Sequence, residues 1–421
     1  MPTKDNPNPR AGVGFFAWSA FHYYVYKNIY RHFPDAEFII GDRRYRDTDF
    51  DIGNLGELAE FLNEKKIHWR WYDHTLPRNK REEFFKKYKA VLTVWKSKAF
   101  QEEILDEIIK VRVQYGNAKD LWSFGSWNAD FDLILCHGRY ANQYLGFYTL
   151  TEVVGNSLFD DWFNGECDEP LLLKLRSGLD PKKKTILYMP TSDRHPGLGT
   201  VSMLLKGGVK RVFNDYNLII KLHHFLRHDD SSLTDNLRRV TPWVYDERDS
   251  SVTLLRTADF VLSDNSGAIF DAVLAGKPII LFKTPTDALK KFEPTVNPRI
   301  RKVIGIMMWY NGLVQRIKRG DPAIGPVIES FYEISSAVEE EKNKKADFNK
   351  NRERIKKYVF QYHDEFCGKR AADAVMDMIE NNFKYKDTYP LFHYVYKRER
   401  LLRKANKKLK KEERLAPLGI L

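Results

Sequence analysis

The stretch Phe260-Val-Leu-Ser-Asp264-Asn265-Ser266-Gly267-Ala-Ile-Phe-Asp271-Ala-Val-Leu-Ala-Gly276-Lys277-Pro278-Ile-Ile-Leu-Phe282 decides the fold. An apolar run of strand length passes through small polar residues straight into a helical pattern, and Gly-Lys-Pro returns the chain to a second apolar run. Strands that are apolar throughout and joined by a helix read as a buried parallel β-α-β unit. Asn265, Ser266 and Gly267 then fall at a helix amino-terminus, where N–H groups and the positive dipole end suit a phosphate. Simple N-capping by Asp264 or Ser266 explains the same residues. The stretch alone leaves both readings open.

Two strand ends upstream carry similar chemistry. A strand expected over 185–189 leaves through Pro190-Thr191-Ser192-Asp193-Arg194-His195 into the flexible Pro196-Gly197-Leu198-Gly199. A strand expected over 217–222 ends in Lys221-Leu222-His223-His224, with Arg227 and His228 just beyond. Helices are expected over 201–213, 251–257 and 268–274, and further strands over 260–263 and 278–282. Ligands of open parallel sheets sit outside the carboxyl ends of the strands, where loops and helix starts converge. One histidine at such a place is commonly packed or solvated. Three consecutive strand ends with hydroxyls, cations and imidazoles point together to a nucleotide-diphosphate site.

The first third of the chain repeats the alternation. Strands are expected over 13–17, 37–40, 67–72, 90–94, 110–114 and 133–136, with helices over 20–32, 55–63 and 81–89. A connector over 153–160 separates two parallel-sheet halves, and charged helices follow over 336–357 and 366–379. The expected class is α/β, with two Rossmann-like parallel-sheet domains facing a cleft and helices at the carboxyl end. The boundaries fall at 1–152, 153–335, 336–385 and 386–421.

Composition sets the outer limits. The chain has 421 residues, enough for two to three domains at roughly 150 residues each. Hydrophobic residues make up 43% and charged residues 30%, the balance of a globular protein. No apolar run of about 18 residues occurs, and the start MPTKDNPNPR lacks a signal-peptide core, so a cytoplasmic location is expected. Cys136, Cys167 and Cys367 form no ligand spacing and read as free thiols. The net charge is +12, and residues 397–414 alone, with ten bases and three acids, hold +7 of it. The remaining 403 residues carry +5, which argues against a nucleic-acid groove in the body. Tyr394, Leu401, Leu402, Ala405 and Leu409 run beside the basic residues of the tail as on an amphipathic helix, which suits an anionic membrane face or a solvated surface. Asp49-Phe50-Asp51 and Asp130-Phe131-Asp132 invite a metal reading. The first, with Asp47, lacks the glycine and closing glutamate of a calcium loop, and Asp130 precedes its strand instead of leaving it. No metal-ligand residues are assigned and no cofactor beyond a substrate nucleotide, a CDP-polyol or UDP-sugar, is expected, while the sequence leaves a metal requirement open.

The segments Ile186-Leu-Tyr-Met-Pro-Thr191, Lys221-Leu-His223, Ala258 through Phe282 and Cys367-Gly-Lys-Arg-Ala-Ala-Asp-Ala resemble the CDP-glycerol glycerophosphotransferases of teichoic-acid synthesis. That resemblance implies the GT-B architecture, shared with UDP-N-acetylglucosamine 2-epimerases and many glycosyltransferases. It implies a nucleotide-activated donor on the second domain and a hydroxyl acceptor, lipid-linked or free, on the first. By it, His223 takes the place of the histidine that binds or polarises the donor pyrophosphate. Asp264, Asn265, Ser266 and Gly267 stand at the family's Asp-Tyr-Ser-Ser loop, and Asp271 at its helix aspartate. Thr191, Ser192 and, displaced by one residue, Arg194 match the Pro-Thr-Trp-Arg loop, and Lys221 lies in the matched strand end.

One departure bears on mechanism. The family's amino-terminal His-Gly pair, whose histidine is the expected base, corresponds here to Tyr115-Gly116. A phenol of pKa about 10 is a poor base near neutrality. Either Tyr115 positions the acceptor while His137 or His22 takes the proton, or the reaction differs. The alternatives are a sugar-nucleotide glycosyltransferase or epimerase, and a nucleotide-binding protein without turnover.

Overall fold

The computed structural model describes residues 8, 12–41, 55–73, 76–96, 108–118, 123–191, 199–206, 209–224, 226, 232–284 and 312–385, with a few positions between 389 and 402. The first lobe contains β1 (Val13–Ala17), β2 (Ala36–Gly41), β3 (Trp69–Tyr72), β4 (Ala90–Thr93), β5 (Ile109–Val113), β6 (Leu133–Cys136) and β7 (Leu150–Val153). The second contains β8 (Lys184–Met189), β9 (Tyr216–Lys221), β10 (Val244–Tyr245), β11 (Phe260–Ser263), β12 (Ile279–Phe282) and β13 (Val327–Ile328). Among the described residues the sheet orders are β3-β2-β1-β4-β5-β6-β7 and β10-β9-β8-β11-β12-β13. All pairings are parallel.

Both lobes are therefore doubly wound. In each, the order reverses between the first and fourth strands, and the crevice above that reversal is where ligands of such sheets sit. In the second lobe the reversal falls between β8 and β11, paired through Val261 with Leu187 and Ser263 with Met189. The central strands are buried along their whole length because helices cover both faces, so their sequences are apolar without alternation.

The structure departs from the sequence reading at several elements. Leu150–Val153, with its mixed Leu-Thr-Glu-Val, is a half-exposed edge strand. The helix expected over 201–213 is two short helices, Val201–Leu204 and Val209–Val212. The one expected over 336–357 divides at Lys344 into Ile334–Asn343 and Lys345–Val359.

After β7 the chain crosses to the second lobe through a wedge of hydrogen bonds. Asn28 in the first-lobe helix Phe21–Tyr30 donates to Ser157 O at 2.7 Å and to Asp161 Oδ1 at 3.0 Å. Arg256 of the second-lobe helix Ser251–Thr257 donates to the Asp161 and Trp162 carbonyls at 2.7 and 2.9 Å. The chain returns at helix Cys367–Tyr385, whose first amides, Cys367 N and Gly368 N, donate to the Asp160 carboxylate at 3.0 and 2.7 Å. A β-carbon on Gly368 would come within 2.1 Å of Asn28 O, so only glycine permits this approach.

Candidate active site

The loops leaving β8 and β11 are joined by one carboxylate. Asp264 is fully buried. Its Oδ1 accepts from Thr191 N at 2.7 Å and Asn265 N at 2.6 Å, and its Oδ2 from Thr200 N at 3.1 Å and Thr200 Oγ1 at 3.0 Å. Burial pushes this carboxyl up, while Lys318 and the amide and hydroxyl donors pull it down. Ser263 Oγ adds a bond to Met189 O at 2.8 Å. Asp264 thus serves as the tie that sets Thr191 and the Asn265–Gly267 backbone on one rim.

Asn265 turns its side chain inward, where its Oδ1 accepts from Thr284 Oγ1 at 2.8 Å, Lys318 Nζ at 2.9 Å and Gln315 Nε2 at 3.1 Å. Ser266 Oγ accepts from Ala268 N at 3.3 Å, just before the helix Ala268–Leu274, whose N-cap position is Gly267. Gly267 faces the other lobe: a β-carbon built on it would lie 3.9 Å from Gly116 Cα. The turn after β5 therefore meets the loop after β11 across the cleft, bringing Tyr115 and Gly116 to Ser266 and Gly267.

Aromatic rings bridge the lobes beside this contact. Phe21 lies 5.6 Å from the ring of Tyr115 and stacks on His224 at 4.1 Å, and His224 stacks on His223 at 4.1 Å. The strand ends of β5, β8, β9 and β11 thus line one cleft. Lys221 is directed elsewhere: it is buried, and its ammonium donates to the Asp246 carbonyl beside Asp249 and Glu247. Burial lowers its pKa.

Both candidate histidines for the proton are buried. His137 is buried, with Nδ1 at 3.1 Å from Asn117 Nδ2 and Nε2 at 2.8 Å from Gln114 O, and burial pushes its pKa down to about 4. Gln114 in turn donates to Asn117 Oδ1 at 2.6 Å and accepts from His137 N at 2.8 Å. This neutral network holds the Tyr115–Gly116 turn from beneath. His22 is fully buried, its Nδ1 at 2.9 Å from Ser19 O and its ring against Trp18 and Phe21. Asp271 lies one helical turn after Gly267 on the same less-buried stripe, and burial raises its carboxyl to about 7.

Ser192 and Arg194 lie outside the described residues, as do Asp49, Asp51, Arg227, His228 and most of the basic tail. Asp132 is spent on structure, accepting from Lys110 N at 2.8 Å. Sequence reasoning missed Phe21, Thr284, Gln315 and Lys318. Phe21 had a signal, its place at the start of the first helix; the other three lie in stretches without a motif.

Two doubly wound lobes facing each other across a cleft are the GT-B architecture. Residues 148–291 match the sequence model of a family described as CDP-Glycerol:Poly(glycerophosphate) glycerophosphotransferase, so the resemblance read from the 186–191, 221–223 and 258–282 segments holds. A teichoic acid poly(glycerol phosphate) polymerase of Bacillus spizizenii is 24% identical over 221 residues, 51% of this chain and 48% of that protein. The chain thus spans about half the length of this curated relative. The wall teichoic acid polymerase TagF superposes with a TM-score of 0.56 at 14% identity, covering 91% of this chain and 92% of that one. A UDP-GlcNAc 2-epimerase of Neisseria meningitidis bound to UDP-GlcNAc gives 0.53 at 12% identity, covering 88% and 99%. These two likenesses are of fold.

Proposed function

We propose that the chain transfers a polyol-phosphate unit, glycerol phosphate or a close relative, from a CDP-activated donor to a hydroxyl acceptor in cell-surface polymer synthesis. The observation that carries the reading is the meeting of Gly267 with Gly116, which sets the phosphate-compatible loop of one lobe against the acceptor-side turn of the other. The donor diphosphate lies on Thr191, the Asn265–Gly267 loop through its Ser266 and Gly267 amides, and His223, with Ser192 and Arg194 beside them, while Asp271 takes a donor hydroxyl. The acceptor oxygen, positioned by Tyr115, attacks the β-phosphorus. The bond from that phosphorus to the bridging oxygen breaks and CMP leaves. His223 and Arg194 stabilise the charge that gathers on the phosphate oxygens, the term that usually dominates such catalysis.

The test is incubation with CDP-glycerol and UDP-sugars, watching which is consumed. His223→Ala lowers turnover on the order of 100-fold; near-normal turnover in a folded variant removes this role. Tyr115 in place of the family's histidine favours a second reading, sugar-nucleotide transfer or epimerisation, which consumption of a UDP-sugar would establish. Tight CDP binding with no turnover on any acceptor would leave a binding protein.

The proposed reaction draws on no cofactor beyond the nucleotide donor itself, and turnover compared with and without EDTA decides whether it needs a metal. Among the described residues no helix is long and apolar enough to cross a membrane. The proposed location is the cytoplasm, at the inner membrane face, to which the +7 segment 397–414 draws the protein. Flotation with anionic vesicles, lost on removal of 397–421, tests that placement.

A further inference from the structure

Lys318 ends the six-residue helix Leu313–Lys318, whose Leu313, Val314 and Ile317 anchor it in the core. Its side chain is 7% exposed. The ammonium donates to Asn265 Oδ1 at 2.9 Å and to Thr284 Oγ1 at 2.8 Å, and Thr284 and Gln315 donate to that same Asn265 oxygen. One amide oxygen of the phosphate-compatible loop therefore holds three donors from two segments of the second lobe, Thr284 after β12 and the helix Leu313–Lys318. This pins the Asn265 side chain inward, beneath Gly267, whose backbone meets Gly116 across the cleft.

Burying an ammonium costs several kcal/mol unless a compensating charge is close. The carboxylate that acts on it is Asp264, whose oxygens take hydrogen bonds from Thr191, Asn265 and Thr200. The hydrogen bonds of Lys318 go to the neutral oxygens of Asn265 and Thr284, so the carboxylate's compensation reaches it only through space. A ligand with two negative phosphates above the Asn265–Gly267 backbone would complete the compensation.

We propose that Lys318 is a positioning residue of the donor site: it fixes the Asn265 loop from below and supplies a buried positive charge that a nucleoside diphosphate balances. The inference rests on the donor-site reading above. It concerns a residue beyond the 148–291 segment that matches the family. Burial holds the unliganded amine down to about 7, with Asp264 pulling it back up. Asp264 is the ionisable neighbour from the β11 loop; Arg316 on its own helix pairs with Asp321, and Asn265, Thr284 and Gln315 are neutral. A bound diphosphate raises the amine's proton affinity, so binding above neutrality takes up a proton.

The experiment is titration calorimetry with CDP at pH 7.5 to 8.5 in two buffers of different ionisation enthalpy, on the full chain and on Lys318→Met. Full-chain protein should bind CDP with proton uptake and lose affinity as pH rises. Lys318→Met should bind on the order of tenfold or more weakly, with the uptake reduced and the pH dependence flattened, which a purely structural role would not produce. Lys318→Gln keeps a donor without the charge and should lose the uptake too, which covers a Met variant that fails to fold. Equal affinity and equal uptake in a folded variant overturn the inference while leaving the donor site standing. Absence of CDP and UDP binding by the full chain overturns both.

Discussion

The turn after β5 and the loop after β11 do the same mechanical task by opposite chemistry. In the first lobe, Gln114, Asn117 and His137 brace Tyr115–Gly116 through neutral amides and a neutral imidazole. In the second, Asp264 and Lys318 brace Asn265–Gly267 through charged groups. The difference follows what each rim is proposed to hold. A hydroxyl acceptor needs fixed geometry and no field, whereas a diphosphate needs fixed geometry over a buried positive charge.

The strongest way to break this contrast is Asp264→Ala. It strands four donors and the Lys318 ammonium, and should cost about 3–5 kcal/mol in a urea titration with loss of CDP binding. A smaller loss would mean that the charges of the second lobe matter no more than the amides of the first. His137→Leu should cost about 1–3 kcal/mol, because it leaves buried amide partners unsatisfied. It should raise KM for the acceptor and leave CDP affinity unchanged; an equal loss on the CDP side would show that the two braces are one unit.

pH separates the regions next. His137 is protonated in the unfolded chain near its ordinary value but in the folded chain only near 4. The unfolded state therefore binds more protons between those values, and stability falls as the solution is acidified through that window. Asp271 acts in the other direction: folded, it keeps its proton up to about 7, so its contribution falls as pH rises from about 4 to 7. Melting curves should accordingly show His137→Leu less acid-sensitive than the parent, and Asp271→Asn gaining stability relative to the parent at pH 8 but not at pH 4. The opposite order would reverse both assignments. The smallest effect is Tyr115→Phe, expected to slow turnover only a few-fold to about tenfold, as loss of one hydrogen bond at a 39% exposed side chain would. A far larger drop would make the phenol itself the proton carrier.

Much of the second lobe was legible because its central elements are buried on every side. Residues 260–263 carry an apolar strand pattern, 268–274 a nearly apolar helix and 251–257 an amphipathic one, and the elements found there have those bounds. Three edge strands were not, because solvent on one side dilutes the pattern or the strand is short: β7 mixes Thr and Glu with apolar residues, and β10 and β13 are two residues long, whereas the aromatic edge strand β3 was read. The same limit applies to side chains. His22 and His137 were visible as possible bases, but sequence does not say that burial and hydrogen bonds occupy them. Lys318 carries no local signal at all, because the oxygen it grips lies 53 residues away in the chain.

The Asp160 carboxylate holds the start of the returning helix against the outgoing connector, so both passages between the lobes run side by side at one edge of the cleft. Opening and shutting of the two halves is thereby confined to a jaw-like swing about that edge. The stacking of Phe21 on His224 is a second contact between the halves, and any opening of the cleft has to break it.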